Sequence, residues 1–398
     1  MQTRAITLPF LLLVSAACGP QQQVSKCSPS ATAVAKPPVP VVFAGEALEV
    51  EVLLPPAVFC QGGNPVATSV VTEVVDALNQ AVAHTQSAPS SSDTRGYATT
   101  VRFTPLRRGV YLVTARFEPS LGIAQRLVQV VSDRAAARPV LRVALEGGCD
   151  DVVAFTGHAL CRRGGVVSVL SADGGVLREG ARGVAAAGRV GWYWGDAGVT
   201  RLLELDGGLI STTSATVLGP GATSANQDSL LSAHEGGFTE VVAEQTTLSV
   251  REWPAHDAGA VVGGLARAGE VVGFSTAHQL CSLAVDGGRY CVEHPLVAGA
   301  AEGAALWLRG AETGNVAVAR FSSVVQEPVV MFLAGQSSAL MEVGAPRPSF
   351  TWNGRLVTVR ADDLSLEAWL APGPAPRRWV TPEHVVFQLP GELVIYAR

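Results

Sequence analysis

Three turns in this sequence share an Asp-Gly-Gly core in matched contexts: Leu170-Ser-Ala-Asp173, Leu203-Glu-Leu-Asp206 and Leu283-Ala-Val-Asp286. Equivalent turns without the motif fall near Thr246, Ser322 and Asp362. The carboxylates of Asp173, Asp206, Asp286, Asp362 and Asp363 therefore recur at one place in a repeat, and a ring of them could bind a cation. Asp-Gly is also the ordinary tight-turn pair and needs no ligand to explain it. His158, His234 and His278 sit in or beside a second series of turns. Three histidines hold a metal only if they converge to about 2.1 Å from it, and a solvated turn is the usual place for a lone histidine. Trp192, Trp194, Trp307 and Trp352 could line the mouth of a sugar-binding channel, although alternating aromatics also serve as packing. No G-x-S-x-G elbow, P-loop or H-E-x-x-H helix occurs. No catalytic residue, metal ligand or cofactor is assigned.

The cysteines carry covalent chemistry of another kind. There are seven, at 18, 27, 60, 149, 161, 281 and 291. Setting Cys18 aside leaves an even six, which fits an oxidising compartment. Between Cys281 and Cys291 the chain reads as two strands about a Val285-Asp286-Gly287 loop with Gly287 left-handed. That register sets Cys281 opposite Cys291 and predicts a cross-strand bond. Cys149 and Cys161 are likewise local, and Cys27 pairs with Cys60 by elimination.

What positions these residues begins with the N-terminus. Residues 1–17 carry Arg4 followed by an apolar run from Ile6 to Ala17. The run is too short to span a bilayer and suits a signal peptide. Its end, Ser15-Ala16-Ala17-Cys18, resembles a bacterial lipobox, with Ser15 where that motif usually has Leu. The resemblance implies cleavage before Cys18 and lipidation of its thiol. Gly19 in place of Asp implies an outer-membrane lipoprotein. The alternative is an ordinary secretory signal with Cys18 an incidental thiol. Residues 18–41 are rich in Gln, Ser, Ala and Pro and form a tether.

Of the 398 residues, 48% are hydrophobic and 16% charged, which excludes a disordered chain. The net charge of −5, with no basic block, excludes a nucleic-acid partner. From 42 to 136 the pattern is strand-like, with apolar and polar residues alternating over Glu46–Leu53 and again over Gly96–Pro105. Ser69–Ala83 fits either an amphipathic helix or two strands about Asp76–Gln80, and its β-branched residues favour strands. Val74–Val82, with Asn79 in place of Gly, and Pro105, Gly109, Tyr111 and Val113 resemble the hairpin and corner of bacterial immunoglobulin-like modules of the invasin type. The resemblance implies a β-sandwich acting as spacer or adhesive unit, in which the Tyr111 hydroxyl bonds back to the backbone.

From 139 to 398 the two turn series recur about every 39 residues. Such spacing with several strands per unit is the signature of a β-propeller. Seven units are expected, with six or eight as the alternatives. The inner strands are expected at Val152, Val190, Leu230, Val271, Ala305, Phe350 and Val385. The seventh unit has only two strands, so the strand near Val140–Leu145 is expected to complete it and remove an open edge. The recurring Trp-Asp dipeptide and the kelch pattern, marks of two named propeller families, are both missing. By resemblance to propellers in general, ligands bind on the face that carries Asp173, Asp206, Asp286 and Asp362. The expectation is an all-β, lipid-anchored, non-catalytic envelope protein, held to the membrane by its lipid, that presents a propeller to a protein or glycan partner. The alternative is a propeller hydrolase or lyase acting on extracellular polysaccharide through carboxylates on that face.

Overall fold

The computed structural model describes residues 40–54, 67–76, 80–92, 96–118, 122–172, 174–206, 208–235, 237–254, 259–310, 316–332, 347–374 and 377–398. Among them every regular element is a β-strand. Cys18, Cys27, Cys60 and Asp173 lie outside the described residues.

The N-terminal strands are β1 (Val41–Phe43), β2 (Leu48–Leu54), β3 (Ser69–Val75), β4 (Ala81–Ser87), β5 (Ser90–Ser92), β6 (Gly96–Phe103), β7 (Gly109–Glu118) and β8 (Gly122–Asp133). They form two sheets, one in the order β8-β7-β3-β4 with β1 beside β8, the other β2-β6-β5. The period of two along β7 sends Tyr111, Val113, Ala115 and Phe117 inward, where they meet Val50, Val52 and Val101. Tyr111 donates its hydroxyl proton to the Arg107 carbonyl at 2.9 Å. The bond closes the strand crossing and satisfies a phenol in the core, as the corner motif requires. Ser69–Ala83 resolves into strands β3 and β4. Gln80 donates its N–H to Asp76 Oδ1 at 2.9 Å across the turn between them.

After β9 (Leu141–Ala144) the chain makes five consecutive four-stranded antiparallel sheets. The first holds β10 (Asp151–Phe155), β11 (His158–Arg163), β12 (Val166–Ser171) and β13 (Gly174–Glu179). The second holds β14 (Ala181–Ala187), β15 (Val190–Gly195), β16 (Gly198–Leu205) and β17 (Gly208–Ser214). The third holds β18 (Thr223–Ala225), β19 (Ser229–His234), β20 (Gly237–Glu244) and β21 (Thr247–Glu252). The fourth holds β22 (Val262–Ala268), β23 (Val271–Ser275), β24 (Gln279–Ala284) and β25 (Arg289–Glu293), and the fifth β26 (Leu296–Glu302), β27 (Ala305–Gly310), β28 (Val316–Arg320) and β29 (Val329–Phe332). A sixth sheet carries β30 (Ser349–Trp352), β31 (Arg355–Val359) and β32 (Leu366–Trp369), and a seventh β33 (Arg377–Val380), β34 (His384–Leu389) and β35 (Glu392–Ala397). β9 pairs with β35, Ala144 opposite Glu392 and Leu141 opposite Ile395, so the N-terminal strand completes the seventh sheet as its open edge requires. The whole is a β-propeller.

The order of strands within each unit corrects the sequence reading. The segments expected as inner strands in units two to five and seven are β15, β19, β23, β27 and β34, each the second strand of its sheet. The reason is burial on both faces. A second strand is flanked by neighbours in its own sheet and covered by sheets on either side, so β23 is buried at every position. The first strands have one side on a central cavity and use small or polar residues, as in Ala181–Ala187. In units one and six the expected segments, β10 and β30, come first among the described strands of their sheets.

The N-terminal sheets keep a core cluster of their own, and a second cluster joins them to the propeller. β8 runs parallel to β32, Val131 opposite Leu366, and so adds to the outer edge of the sixth sheet. Val131 is buried in one cluster with Trp307, Phe350, Val357 and Leu366, and Val41 and Phe43 pack against it. At this seam Glu367, whose side chain is fully buried, accepts from Arg108 at 2.8 Å, Arg134 at 3.0 Å and Arg398 at 3.5 Å. A carboxylate taken out of water needs such partners. The sequence pattern did not show this because the pairing is non-local and Glu367 reads as the polar member of an alternating strand.

Candidate functional site

One central cavity of about 570 Å³ touches all seven sheets. Its wall includes Val153 from β10, Ala185 from β14, Ser224 from β18, Leu265 from β22 and Ala300 from β26. The sixth sheet reaches it through Arg347, just before β30, and the seventh through Thr381 and Glu383, just after β33. In an antiparallel meander the connection between first and second strands and that between third and fourth fall on one face, here the top. The connection between second and third strands, and the passage to the next sheet, fall on the bottom.

The charged wall of the cavity is built, not incidental. Arg347 Nη2 donates to the Ala301 carbonyl at 2.5 Å and Nη1 to that of Val380 at 3.3 Å, spanning the fifth and seventh sheets at their top ends. Glu302 lies 3.6 Å from Arg347 Nε and accepts the Trp307 indole N–H at 3.0 Å. Burial lowers the Arg347 guanidinium to about 10, with Glu302 opposing the shift. The same device recurs between the third and fourth sheets. Buried Glu240 accepts the Trp253 indole at 3.1 Å and Arg267 Nε at 3.2 Å, and the Arg267 guanidinium lies 4.8 Å from the Trp253 ring centroid. Glu383 crosses from the seventh sheet to the second, accepting the Gly188 N–H at 3.1 Å.

The described candidate aspartates share the top face, and Asp286, Asp362 and Asp363 are occupied in their own turns. Asp206 stands between β16 and β17 with φ 50°. Asp286 accepts the Gly288 N–H at 3.0 Å, and Gly287 has φ 91°, the left-handed loop expected. Asp362 lies between β31 and β32. The end of β31 is on the top face, because the Val359 carbonyl meets Arg398 at 2.9 Å where β35 ends. Arg360 holds Asp362 at 3.1 Å. Burial works to raise that carboxyl, and the Arg360 guanidinium prevails and keeps it below the ordinary range. Asp363 accepts the Ser365 N–H at 2.9 Å. Among the described residues no group of three or more His, Cys, Asp and Glu is disposed to hold a metal. The three histidines do not share a face. His158 follows a first turn, on top, and lies 3.1 Å from Glu204. His234 and His278 sit at second turns, on the bottom, a separation hidden by the misplaced phase of unit one.

The tryptophans divide in the same way. Trp192 and Trp307 are core residues, 0% and 2% exposed. Trp352 stands 4.8 Å from Phe43 at the seam. Trp194 lines a bottom-face hollow of about 430 Å³ that it shares with Asp151, Arg162, Arg182 and Gly183. Asp151, Val184 and Thr223 line this pocket and the central cavity alike, so the two adjoin. Asp151 is opposite Arg162 in the β10–β11 ladder. Burial raises the Asp151 carboxyl, with Arg162 opposing. The sequence reading named Trp194 and missed Asp151, Arg162 and Arg182. Asp151 and Arg182 stand at the start of first strands, a signal that is legible only once the strand order is known.

The two local disulfides are present. Cys281 is opposite Cys291 with Cα atoms 4.1 Å apart, and Cys149 bonds Cys161 with Cα atoms 5.5 Å apart.

No family model matches the chain, and no curated protein matches it. Among solved structures it is similar to a quinonprotein alcohol dehydrogenase-like protein from Bacteroides thetaiotaomicron, at 10% identity and TM-score 0.33 over 94% of each chain. AztD from Citrobacter koseri aligns at 10% identity and TM-score 0.34, over 83% of this chain and 92% of that one. The WD40 domain of Neurospora crassa Pan2 aligns at 10% identity and TM-score 0.36, over 65% and 94%. The propeller assignment rests on the sheets and their shared cavity.

Proposed function

We propose that this protein is a lipid-anchored, non-catalytic platform of the bacterial cell envelope. In this reading Cys18 is the acylated N-terminus of the mature chain, residues 18–41 are the tether, and an immunoglobulin-like module over 42–136 is the spacer. A seven-bladed propeller over 139–398 meets a protein or glycan partner. The observation that carries it is the shared sheet. β8 of the spacer is also the outer strand of the sixth propeller sheet, so a partner bound to the propeller is held at a fixed attitude to the spacer. Two disulfides among the described residues support an extracytoplasmic location. Seven inner positions around one cavity support the blade count.

The test is fractionation with crosslinking. Wild type belongs in the membrane fraction, and Cys18→Ala is expected in the soluble fraction, because the acyl chains are the only anchor in this reading. A variant that stays with the membrane overturns the lipid anchor. One observation favours the rival polysaccharide hydrolase or lyase: a carboxyl raised by burial at the junction of two cavities is suited to general acid work. Release of new reducing ends from envelope polysaccharide, lost in Asp151→Asn, would establish it.

A further inference from the structure

The bottom-face pocket beside Trp194 has the makings of a built site. Its volume, about 430 Å³, lies within the roughly 300–1,000 Å³ range of small-ligand sites. Its aromatic wall is set by a glycine. Gly183 is opposite Trp194 in the β14–β15 ladder, at a register shift that begins at Ala181. A Cβ on Gly183 would fall on the six-membered ring of the indole, so any other residue would displace Trp194. Bulges of this kind re-aim a side chain. Across the pocket Asp151 supplies acceptors, and Arg162 and Arg182 supply donors. The Nε of Arg162 is buried and has no hydrogen-bond partner among the described residues. A buried, unpaired guanidinium N–H is costly unless a ligand or water completes it.

The charges choose the ligand class. Arg162 is matched by Asp151, its ladder partner, and Arg182 by Asp196, with which it forms an ion pair. With two cations balanced by two anions, the site has no net attraction for an ion. What remains is an aromatic plate beside alternating donors and acceptors. That combination suits a ring with an apolar C–H face and an equatorial rim of hydroxyls. We propose that this pocket binds a hexose unit of a neutral glycan, its C–H face on Trp194 and its hydroxyls shared between the Asp151 carboxylate and the Arg162 guanidinium. The proposal rests on the platform reading and selects glycan over protein as the partner.

The test uses the full chain and four neutral probes: the methyl glycosides of glucose, galactose, mannose and N-acetylglucosamine, with glucuronic acid as the charged control. Calorimetric titration and tryptophan emission report binding. At least one neutral probe is expected to bind and shift the emission. Trp194→Ala and Arg162→Met are each expected to weaken it by about tenfold or more. Gly183→Ala, which keeps the indole but moves it, is expected to weaken it too. Unchanged thermal melting of the variants separates loss of the site from loss of the fold. Binding by none of the four, tighter binding of glucuronic acid than of any neutral probe, or full binding by Trp194→Ala overturns the proposal. If sugar binds while Cys18→Ala protein remains with the membrane, the pocket stands and the lipid anchor fails. If no sugar binds while the anchor test succeeds, the platform stands without this site.

Discussion

Two sheet edges in this protein are closed by strands from distant parts of the chain, and they are closed by different means. At the seventh sheet β9 lies antiparallel to β35. Leu141 and Val143 from one strand and Leu393 and Ile395 from the other enter a single apolar cluster, while the charged pair Arg142–Glu392 stays on the surface at 3.2 Å. At the sixth sheet β8 lies parallel to β32, and its charged group is at the centre, with three arginines on the buried Glu367. Parallel ladders are slightly weaker per residue, and a buried ion cluster is a costly means of reinforcement but a specific one. The difference teaches that the ring is sealed by apolar burial with its charges left outside, whereas the seam with the N-terminal sheets adds a buried charge cluster to an apolar one.

The sharpest way to break the comparison is to remove both seams together. Deleting residues 390–398 takes away β35 and Arg398. The propeller should lose its cooperative unfolding transition in calorimetry, and the sandwich should melt with it, since Glu367 loses a partner. A sandwich that keeps its own unshifted transition would show that the two regions are energetically separate after all. Next in size is Glu367→Ala, which takes the buried carboxylate from three arginines. A loss of about 3–5 kcal/mol in urea unfolding is expected, and a loss below about 1 kcal/mol would mean that the apolar part of the seam suffices. Glu392→Ala tests the other seam. Its ion pair is partly exposed, with Arg142 49% accessible, so the change should cost no more than about 1 kcal/mol. A larger loss would make the two seams alike.

The smallest effect concerns a charge that belongs to neither seam. Burial raises the Asp151 carboxyl, with Arg162 opposing. The folded protein therefore holds that proton more tightly than the unfolded chain does. Stability is lost as pH rises from the unfolded value, about 3.9, through the folded one, and the whole cost is present above it. Asp151→Asn should melt above wild type at pH 7 and level with it at pH 3. The opposite order would place Asp151 among the stabilising pairs.

What the sequence could show of all this depended on how local the cause was. The Cys281–Cys291 register follows from one left-handed glycine and a short loop, and the Tyr111 corner from residues four apart. The closing strand at Leu141–Ala144 was legible from an edge that had to be covered. The order of strands within a unit was not. First strands such as Thr223–Ala225 carry no apolar signal, because they face the central cavity, and fully buried second strands such as Val271–Ser275 read as the innermost layer. The β8–β32 pairing leaves no period at all, since its partners lie more than two hundred residues apart. The pocket at Trp194 was half legible: the aromatic stood out, but its charged companions needed two sheets set side by side to be recognised.

The pairing of β9 with β35 also governs how the molecule comes into being. Emerging N-terminus first, the chain presents Ala144 almost 250 residues before the Glu392 that lies opposite it. Through that interval five sheets can form on local hairpins while the strand that closes the ring waits unpaired. Assembly thus ends in a slow, long-range zipping step. A chain stalled or clipped short of residue 392 keeps an open edge, to which proteases and sticky neighbours have access. Closure of the ring thereby distinguishes a finished molecule from an abandoned one, before any partner is met.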